Sequence, residues 1–304
     1  MGNIAFVFAG QGAQAPGMGR EFFECSESAR EVFCTADAVR PGTSDQCFYS
    51  DDTQLQKTIN TQPCLYTVEM AIAAAVTSAG IKADMCAGFS LGELSALTYA
   101  GVLSLSEGLK AVNARAQLMQ EDALKHETSM AAVIKLSNDQ IDEICRTVSN
   151  VYPVNYNCPG QTSVSGDSAQ MLEFAEAVKA AGGRAKFLKV NGAFHSPYMS
   201  GAAEGFRSVL EGITFSEPVI PVYSNYTGSL YEINEIAENL SSQINNPVRW
   251  ETIVRNMISR GADVFVELGP GKTLTGLIKR IDPDVKLINV SVPADLEKLK
   301  EELL

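Results

Sequence analysis

Short apolar runs alternate with longer amphipathic stretches over most of the chain, a pattern typical of an α/β protein. The run Ile4–Phe8 leads into Ala9-Gly10-Gln11-Gly12 and predicts a buried parallel strand followed by a tight turn. The pattern predicts further strands near residues 84, 219, 264 and 286. Strands separated by helices favour a doubly wound parallel sheet. The helices predicted between these strands are Gly19–Val39, Gln62–Ala79, Leu91–Ala100, Ser104–Ala123, Tyr198–Leu210, Glu232–Ile244, Pro247–Arg260, Lys272–Arg280 and Ala294–Leu303.

Residues 126–192 show a different order of predicted strands and helices. The strands predicted there are Met130–Leu136, Tyr152–Asn157, Thr162–Ser165 and Ala185–Val190, and the helices are Asn138–Val148 and Asp167–Ala181. The order βαββαβ is the ferredoxin-like pattern. We therefore expect residues 126–192 to form a small subdomain inserted into a core made of residues 1–125 and 193–304.

Composition and charge narrow the class of protein. The 304 residues carry 24 Lys and Arg against 36 Asp and Glu, a net charge of −12, and 45% of them are hydrophobic. An acidic chain argues against a nucleic-acid partner. No apolar run approaches the roughly 20 residues that cross a bilayer, and no basic residue precedes Arg20, as a signal peptide would require. We expect a cytoplasmic protein without a membrane partner, acting as a monomer.

The seven cysteines show no C-x-x-C pair and no zinc-ligand spacing. The sequence therefore predicts free thiols and no metal site.

The strongest chemical signal is Gly88-Phe89-Ser90-Leu91-Gly92, a G-x-S-x-G motif between an apolar strand and a helix. The glycines allow a cramped turn that exposes the serine hydroxyl, and the following helix offers backbone N–H groups to an oxyanion. We predict that Ser90 is a nucleophile; the alternative is a plain turn serine.

A serine nucleophile needs a base, and the chain has two histidines. His126 stands between Lys125 and Glu127, which indicates a solvated loop. His195 stands in Asn191–Pro197, between a predicted strand and a predicted helix, among small residues. We favour His195 as the base, with a satisfied core histidine as the alternative.

Three further motifs are ambiguous on their own. Gly10–Ala15 fits a loose dinucleotide fingerprint, but the region where that fold needs a second strand ending in an acidic residue is predicted to be an amphipathic helix through Glu31 and Asp37. We therefore favour a turn whose Gln11 N–H faces Ser90. Gly269–Thr273 looks like the end of a P-loop, but Val266 occupies the position of the first glycine. Arg115 lies among apolar neighbours and either snorkels to solvent or meets a carboxylate.

Taken together, these segments resemble the malonyl-CoA:acyl carrier protein transacylases of fatty acid synthesis. They follow the family's order and span nearly the whole chain. The matching segments are Gly10–Gln14, Gly88–Glu93, Arg115 with Gln117-Leu118-Met119, Asn155–Gly160, Gly192–Ser196, Gln243 with Pro247-Val248-Arg249-Trp250, and Glu267–Leu277.

The resemblance implies an α/β-hydrolase-like core with an inserted ferredoxin-like subdomain, in agreement with the pattern above. It also implies a role for each of seven residues. These are Gln11 and Leu91 as backbone oxyanion donors, Ser90 as nucleophile, Arg115 as ligand of the malonyl carboxylate, Asn157 as part of the acyl and pantetheine site, His195 as general base, and Gln243 as the backbone carbonyl that orients His195.

The implied reaction moves malonyl from malonyl-CoA to the phosphopantetheine thiol of acyl carrier protein through a malonyl-serine, by a ping-pong route. It needs no cofactor, because both thioesters are substrates. A trans-acting acyltransferase of a polyketide synthase, a serine thioesterase on the same core and a non-catalytic docking protein remain alternatives. Phe89 stands where the family usually has His. The basic residues proposed to dock the acidic carrier are Arg184, Lys186, Lys189, Lys272, Lys279 and Arg280.

Overall fold

The computed structural model describes residues 2–188, 190 and 192–304. Its strands are β1 (Asn3–Phe8), β2 (Met85–Gly88), β3 (Thr128–Ile134), β4 (Val151–Cys158), β5 (Gln161–Asp167), β6 (Arg184–Phe187), β7 (Val222–Tyr223), β8 (Ala262–Leu268) and β9 (Lys286–Val290). Its α-helices are α1 (Arg20–Cys25), α2 (Glu27–Val39), α3 (Thr43–Tyr49), α4 (Asp52–Leu55), α5 (Thr58–Ser78), α6 (Gly92–Tyr99), α7 (Leu105–Ala123), α8 (Asn138–Thr147), α9 (Ser168–Ala180), α10 (Ser200–Leu210), α11 (Ile236–Asn245), α12 (Trp250–Ser259), α13 (Thr273–Ile281) and α14 (Pro293–Leu303).

The core is built on a five-stranded parallel sheet with the order β7-β2-β1-β8-β9. Its strands fall at the positions that the apolar runs predict. Phe8 pairs with Gly88 on one side and with Leu268 on the other, so β1, β2 and β8 end at the same edge. The carboxyl edge of an open parallel sheet is where ligand sites gather. The turns after these three strands therefore meet at one place.

A separate antiparallel sheet has the order β4-β5-β3-β6. With two helices between its strands, this is the ferredoxin-like topology. Alternate residues of β3, Ala131 and Val133, pack with Ile141 of α8 and Phe174 of α9 in a small core of their own. The predicted fold class is confirmed. We call β3–β6 with α8 and α9 the small subdomain; the boundaries 126 and 192 stay a prediction.

The segment before α12 joins the two sheets, and the predicted start of the helix Pro247–Arg260 is wrong. Pro247 does not open a helix. Instead Val248 N–H donates to the Val154 carbonyl, and Tyr156 N–H donates to the Val248 carbonyl, each at 2.9 Å. Because this segment pairs with β4, the helix begins only at Trp250.

The predicted helix Gly19–Val39 is in fact two helices. Ser26 leaves the helical conformation, and its Oγ accepts from the N–H of Ala29 at the start of α2. The short helices α3 and α4 are absent from the sequence prediction. β7 is shorter than predicted, since it covers only Val222 and Tyr223.

Two further sequence predictions concern cysteines and membrane spans. All seven cysteines are free thiols, as predicted, and only Cys25 and Cys34 are exposed. In the part of the chain that the structure describes, no helix has the length and apolar character to cross a membrane.

Candidate active site

The turn between β2 and α6 holds Ser90 in a left-handed conformation with φ 55°. This conformation is strained for a residue other than glycine. The turn is so tight that neither flanking position has room for a side chain, and both are glycine. A Cβ on Gly88 would collide with the backbone of Gly92, and a Cβ on Gly92 would collide with the Phe8 carbonyl. The predicted sharp strand-to-helix turn is therefore present, with Ser90 at its tip.

Ser90, His195 and Gln243 form a hydrogen-bonded chain. Ser90 Oγ lies 2.7 Å from His195 Nε2, and His195 Nδ1 lies 2.7 Å from the backbone oxygen of Gln243. A carbonyl can only accept, so Nδ1 carries the hydrogen and Nε2 is left to accept the serine proton. The structure thus brings together the three residues that the sequence and the family resemblance singled out.

His195 is held as a neutral imidazole. It is 4% exposed and also has a positive φ, 61°. Burial and then the nearby Arg115 charge lower its pKa to about 3, against the hydrogen bond to the Gln243 carbonyl, which raises it. The ring is therefore unprotonated at neutral pH and can accept a proton.

The guanidinium of Arg115 lies beside the serine. It is 2% exposed on α7, so it does not snorkel to solvent. Nη1 donates to Gln62 Oε1 at 2.7 Å, and Nη2 donates to Gln243 Oε1 at 2.6 Å and to Ser90 Oγ at 3.2 Å. Burial lowers its pKa to about 10, partly offset by Glu93, so Arg115 remains charged.

The turn after β1 lies against the nucleophile turn. A Cβ on Gly10 would stand 2.6 Å from the Phe89 carbonyl oxygen. Gln11, Ser90 and Leu91 line the same cavity. Among the described residues, the N–H groups of Gln11 and Leu91 have no protein acceptor. This is the juxtaposition predicted for Gln11.

The dinucleotide interpretation of Gly10–Ala15 is wrong. Helices α1 to α5 follow β1, and the next strand described in the chain is β2. The fingerprint instead requires an early second strand that ends in an acidic residue.

The turn Gly269–Thr273 differs from a P-loop in what faces the N-terminus of the following helix. The Glu267 carboxylate accepts from Leu274 N–H at 3.0 Å and from Thr275 N–H at 2.8 Å. A buried carboxylate thus occupies the N-terminus of α13, where a phosphate would otherwise bind.

Among the described residues, three cavities share Gln11 at the site, and two of them reach the predicted site residues Ser90 and Asn157. The first has about 100 Å³, and apart from Ser90, His195 and Arg115 its wall is largely apolar, including Phe89, Met119, Met130, Leu188 and Phe194. The second, of about 220 Å³, shares Gln11 and Phe89 with the first and reaches α13. Asn157 lines this second cavity, and its Nδ2 donates to Ser163 Oγ at 3.1 Å.

Several other predicted residues lie outside this constellation. His126 is exposed and faces the Tyr198 ring at 5.1 Å, as expected for a solvated loop. Of the basic residues proposed to meet the carrier, Lys189 lies outside the described residues. Those that the structure places are exposed on β6 and at the two ends of α13: Arg184, Lys186, Lys272, Lys279 and Arg280.

Sequence reasoning missed the polar groups behind the serine. Asn225 Oδ1 accepts from Ser90 N–H at 2.7 Å, and Asn225 Nδ2 donates to the Gly88 carbonyl at 2.6 Å. Glu93 is fully buried, and burial raises its pKa to about 7. A glutamate just after the G-x-S-x-G turn, at the start of an apolar helix, was a usable signal; Asn225, in a loop, offered none.

Over residues 2–188, 190 and 192–304, no three His, Cys, Asp or Glu side chains are grouped as metal ligands.

Comparison with known proteins defines the family. Residues 5–287 match the model of the acyl transferase domain family. The malonyl CoA-acyl carrier protein transacylase of Bacillus subtilis (strain 168) is 37% identical over 313 residues, covering 99% of each chain. The solved malonyl CoA-acyl carrier protein transacylase of Clostridium perfringens ATCC 13124 has a TM-score of 0.96 at 37% identity, covering 99% of this chain and 97% of that one.

A third relative was solved with a partner. PlMCAT in complex with holo AntF, a type II PKS acyl-carrier protein with its malonyl-transacylase, has a TM-score of 0.95 at 35% identity, covering 99% of each chain. An α/β fold that matches the acyl transferase model and joins a serine to a histidine defines an acyltransferase. The chain belongs to the malonyl CoA-acyl carrier protein transacylase family, as its motifs predicted.

Proposed function

We propose that this protein moves a malonyl group from malonyl-CoA to the phosphopantetheine thiol of acyl carrier protein, through a malonyl ester on Ser90. One observation carries the chemistry: Ser90 Oγ lies 2.7 Å from His195 Nε2 and 3.2 Å from Arg115 Nη2, at the wall of a small, mostly apolar cavity. A base and a fixed cation on either side of the serine suit a short acyl group that ends in a carboxylate. The donor and the carrier are those in the names of the relatives.

In the acylation half-reaction, His195 Nε2 takes the Ser90 proton while Oγ attacks the thioester carbon. The oxyanion accepts hydrogen bonds from the backbone N–H groups of Gln11 and Leu91. When the tetrahedral intermediate collapses, the C–S bond breaks and the CoA thiolate takes the proton from His195. The Gln243 carbonyl, hydrogen-bonded to Nδ1, keeps the ring oriented throughout.

In the second half-reaction a different thiol attacks the malonyl-enzyme, and the steps of acylation run in reverse. The carrier's phosphopantetheine thiol gives its proton to His195, and its sulfur attacks the malonyl ester. The ester C–O bond breaks, and Ser90 Oγ recovers a proton from His195. Asn157 and the second cavity lie along the path that we assign to the pantetheine arm.

Arg115 selects for the carboxylate. Its guanidinium lines the cavity, and its longest hydrogen bond, 3.2 Å from Nη2 to Ser90 Oγ, is the one that a malonyl carboxylate would replace. A charge-assisted bond of this kind contributes about 1.5–3 kcal/mol, or about tenfold to a hundredfold in preference for malonyl over acetyl. Phe89 contacts Trp250 edge-on, with ring centroids 5.6 Å apart, and offers no donor to the acyl group.

We assign the reaction to fatty acid synthesis in the cytoplasm, without a cofactor. A relative in complex with a type II PKS carrier keeps polyketide synthesis as the second candidate pathway.

The test is an intact-mass experiment. We expect incubation with malonyl-CoA to add one malonyl group, on Ser90, and acetyl-CoA to add far less. Addition of phosphopantetheinylated carrier should then move the malonyl group to the carrier. Loss of the adduct to water would indicate a thioesterase instead, and no adduct at all would indicate a non-catalytic protein. Comparing carriers from fatty acid and polyketide systems decides the pathway.

A further inference from the structure

Glu93 is a fully buried carboxyl at the start of α6 that the mechanism above does not use. Oε1 accepts from Asn225 N–H at 2.6 Å and from the Tyr231 hydroxyl at 2.8 Å. Oε2 accepts from Gln243 Nε2 at 2.6 Å. Burial and Glu93 together raise the pKa of Tyr231 well above its usual value, so its hydroxyl keeps its proton and donates.

Two of these partners act directly on the nucleophile turn. The Asn225 side chain spans the turn, bonded to Ser90 N–H and to the Gly88 carbonyl. Gln243 Nε2 donates to the Ser90 carbonyl at 2.7 Å as well as to Glu93. The carboxylate therefore fixes the backbone on both sides of the strained serine.

Gln243 extends the same network to the base and to the cation. Its backbone oxygen accepts from His195 Nδ1, and its Oε1 accepts from Arg115 Nη2. An amide has one donor end and one acceptor end. Because Glu93 can only accept when ionised, it holds the NH₂ end of Gln243 toward itself and the oxygen toward Arg115.

The charge of Glu93 also bears on catalysis. The Arg115 charge lowers the pKa of His195, which opposes the imidazolium that must form when His195 takes the serine proton. Glu93 acts on Arg115 in the opposite direction and raises its pKa. An ionised Glu93 thus offsets the Arg115 charge in a site where low dielectric strengthens such effects.

We propose that Glu93 is a positioning residue whose ionised carboxylate orients Asn225 and Gln243 behind Ser90, and through Gln243 holds the Arg115 guanidinium and the His195 ring in place. The inference rests on the proposed function, because it concerns the rate of Ser90 acylation.

The proposal has a consequence for the pH dependence of acylation. Burial raises the pKa of Glu93 to about 7, against the bonds from Asn225, Tyr231 and Gln243 and the Arg115 charge, which all lower it. The titratable groups facing the carboxyl are Tyr231, after β7, and Arg115, on α7. Burial and Arg115 lower the pKa of His195 to about 3, so we assign a fall in rate on acidification through pH 7 to Glu93. Burial also raises the pKa of Glu69, and a Glu69 variant therefore tests that carboxyl separately.

The experiment measures kcat/KM for Ser90 acylation by malonyl-CoA from pH 5 to pH 9, by rapid quench and intact mass. In the wild type we expect the rate to fall below about pH 7. Tyr231→Phe removes one bond to the ionised form and so raises the pKa of Glu93. The fall in kcat/KM on the acidic side, here called the acidic limb, should move to a higher pH by about half to one pH unit.

Glu93→Gln removes the charge and presents an NH₂ group to the NH₂ of Gln243. We expect about a tenfold to hundredfold lower rate and no limb near pH 7. The matched control is Glu69→Gln, another fully buried carboxyl, which accepts from Ser95 of α6 at 2.6 Å. Its limb should stay at the wild-type position.

A wild-type limb that survives in Glu93→Gln, or that stays in place in Tyr231→Phe, overturns the proposal; so does a wild type with no limb. If Glu93→Gln does not fold, Tyr231→Phe decides alone. A wild type that forms no malonyl adduct at any pH instead overturns the proposed function, so the two failures are distinguishable.

Discussion

At the carboxyl edge of the parallel sheet, the residues whose side chains form hydrogen bonds with Ser90 are charged or strongly polar, buried and hydrogen-bonded to one another through Gln243 and Glu93. The small subdomain and the residue after its last strand face the same cavity with a thioether, an amide and a leucine: Met130, Asn155 and Leu188. In the proposed mechanism the parallel core supplies the groups that make bonds and move protons, whereas the subdomain contributes only part of the cavity wall. Substitutions in the core should lower the rate constant, and substitutions in the subdomain should mainly weaken binding.

The largest effect is expected from Ser90→Ala. Without the nucleophile no malonyl-enzyme can form, so acylation by malonyl-CoA should fall at least about a thousandfold. Intact mass after incubation with malonyl-CoA measures it. Ser208→Ala, which changes an exposed serine of α10 that lines neither cavity, is the control and should still be acylated. Persistent acylation of Ser90→Ala would place the nucleophile elsewhere.

The second largest effect is expected from Arg115→Ala. It removes the cation assigned to the malonyl carboxylate, so kcat/KM for malonyl-CoA should drop about tenfold to a hundredfold more than that for acetyl-CoA. Competition between the two donors, read by the ratio of adducts, gives the selectivity directly. Arg146→Ala, which removes an exposed guanidinium from the subdomain, should leave kcat/KM unchanged for both donors. Equal losses for both donors would remove Arg115 from that role.

Charge reversal of the proposed docking residues separates the two half-reactions. Replacing Arg184, Lys186 and Lys279 by Glu should slow transfer to the acidic carrier about tenfold while leaving acylation by malonyl-CoA unchanged. Arg280 is kept because it bonds Gln161 at the second cavity. The control reverses Lys82, Lys110 and Arg260, which are exposed and line neither cavity. Equal loss of both half-reactions would contradict the docking role.

The smallest effect is expected from Asn157→Ala, which tests the subdomain side of the comparison. Loss of one neutral hydrogen-bonding group in the second cavity should raise KM for malonyl-CoA about twofold to tenfold, with kcat nearly unchanged. Steady-state kinetics separates the two constants. Asn138→Ala removes an amide that bonds Thr162 away from the cavity and serves as control. A fall in kcat alone would assign chemistry to the subdomain.

The sequence predicted the local parts of this arrangement well. Five parallel strands were placed because buried strands are short apolar runs, and Ser90 was found because its two glycines are adjacent in sequence. His195 was found because the chain has so few histidines. Their assigned roles stay predictions until the variants above are measured.

The missed parts depend on contacts between distant segments. Asn225 is 135 residues beyond the serine it supports, and no spacing rule connects the two. Pro247 favours a helix start, but pairing of Val248 with β4 overrides that preference. The order of the strands in the parallel sheet likewise follows from tertiary contacts, not from periodicity.

The groups that meet around the serine come from widely separated parts of the chain: Gln11, Gln62, Ser90, Arg115, His195 and Gln243. Each has its own helix, strand end or turn, so the constellation exists only when those elements have all docked. Reactivity at Ser90 is thus a sensitive reporter of complete folding. During refolding, competence for acylation should appear after the bulk of the helical signal, and a population that is compact but misassembled would remain chemically silent.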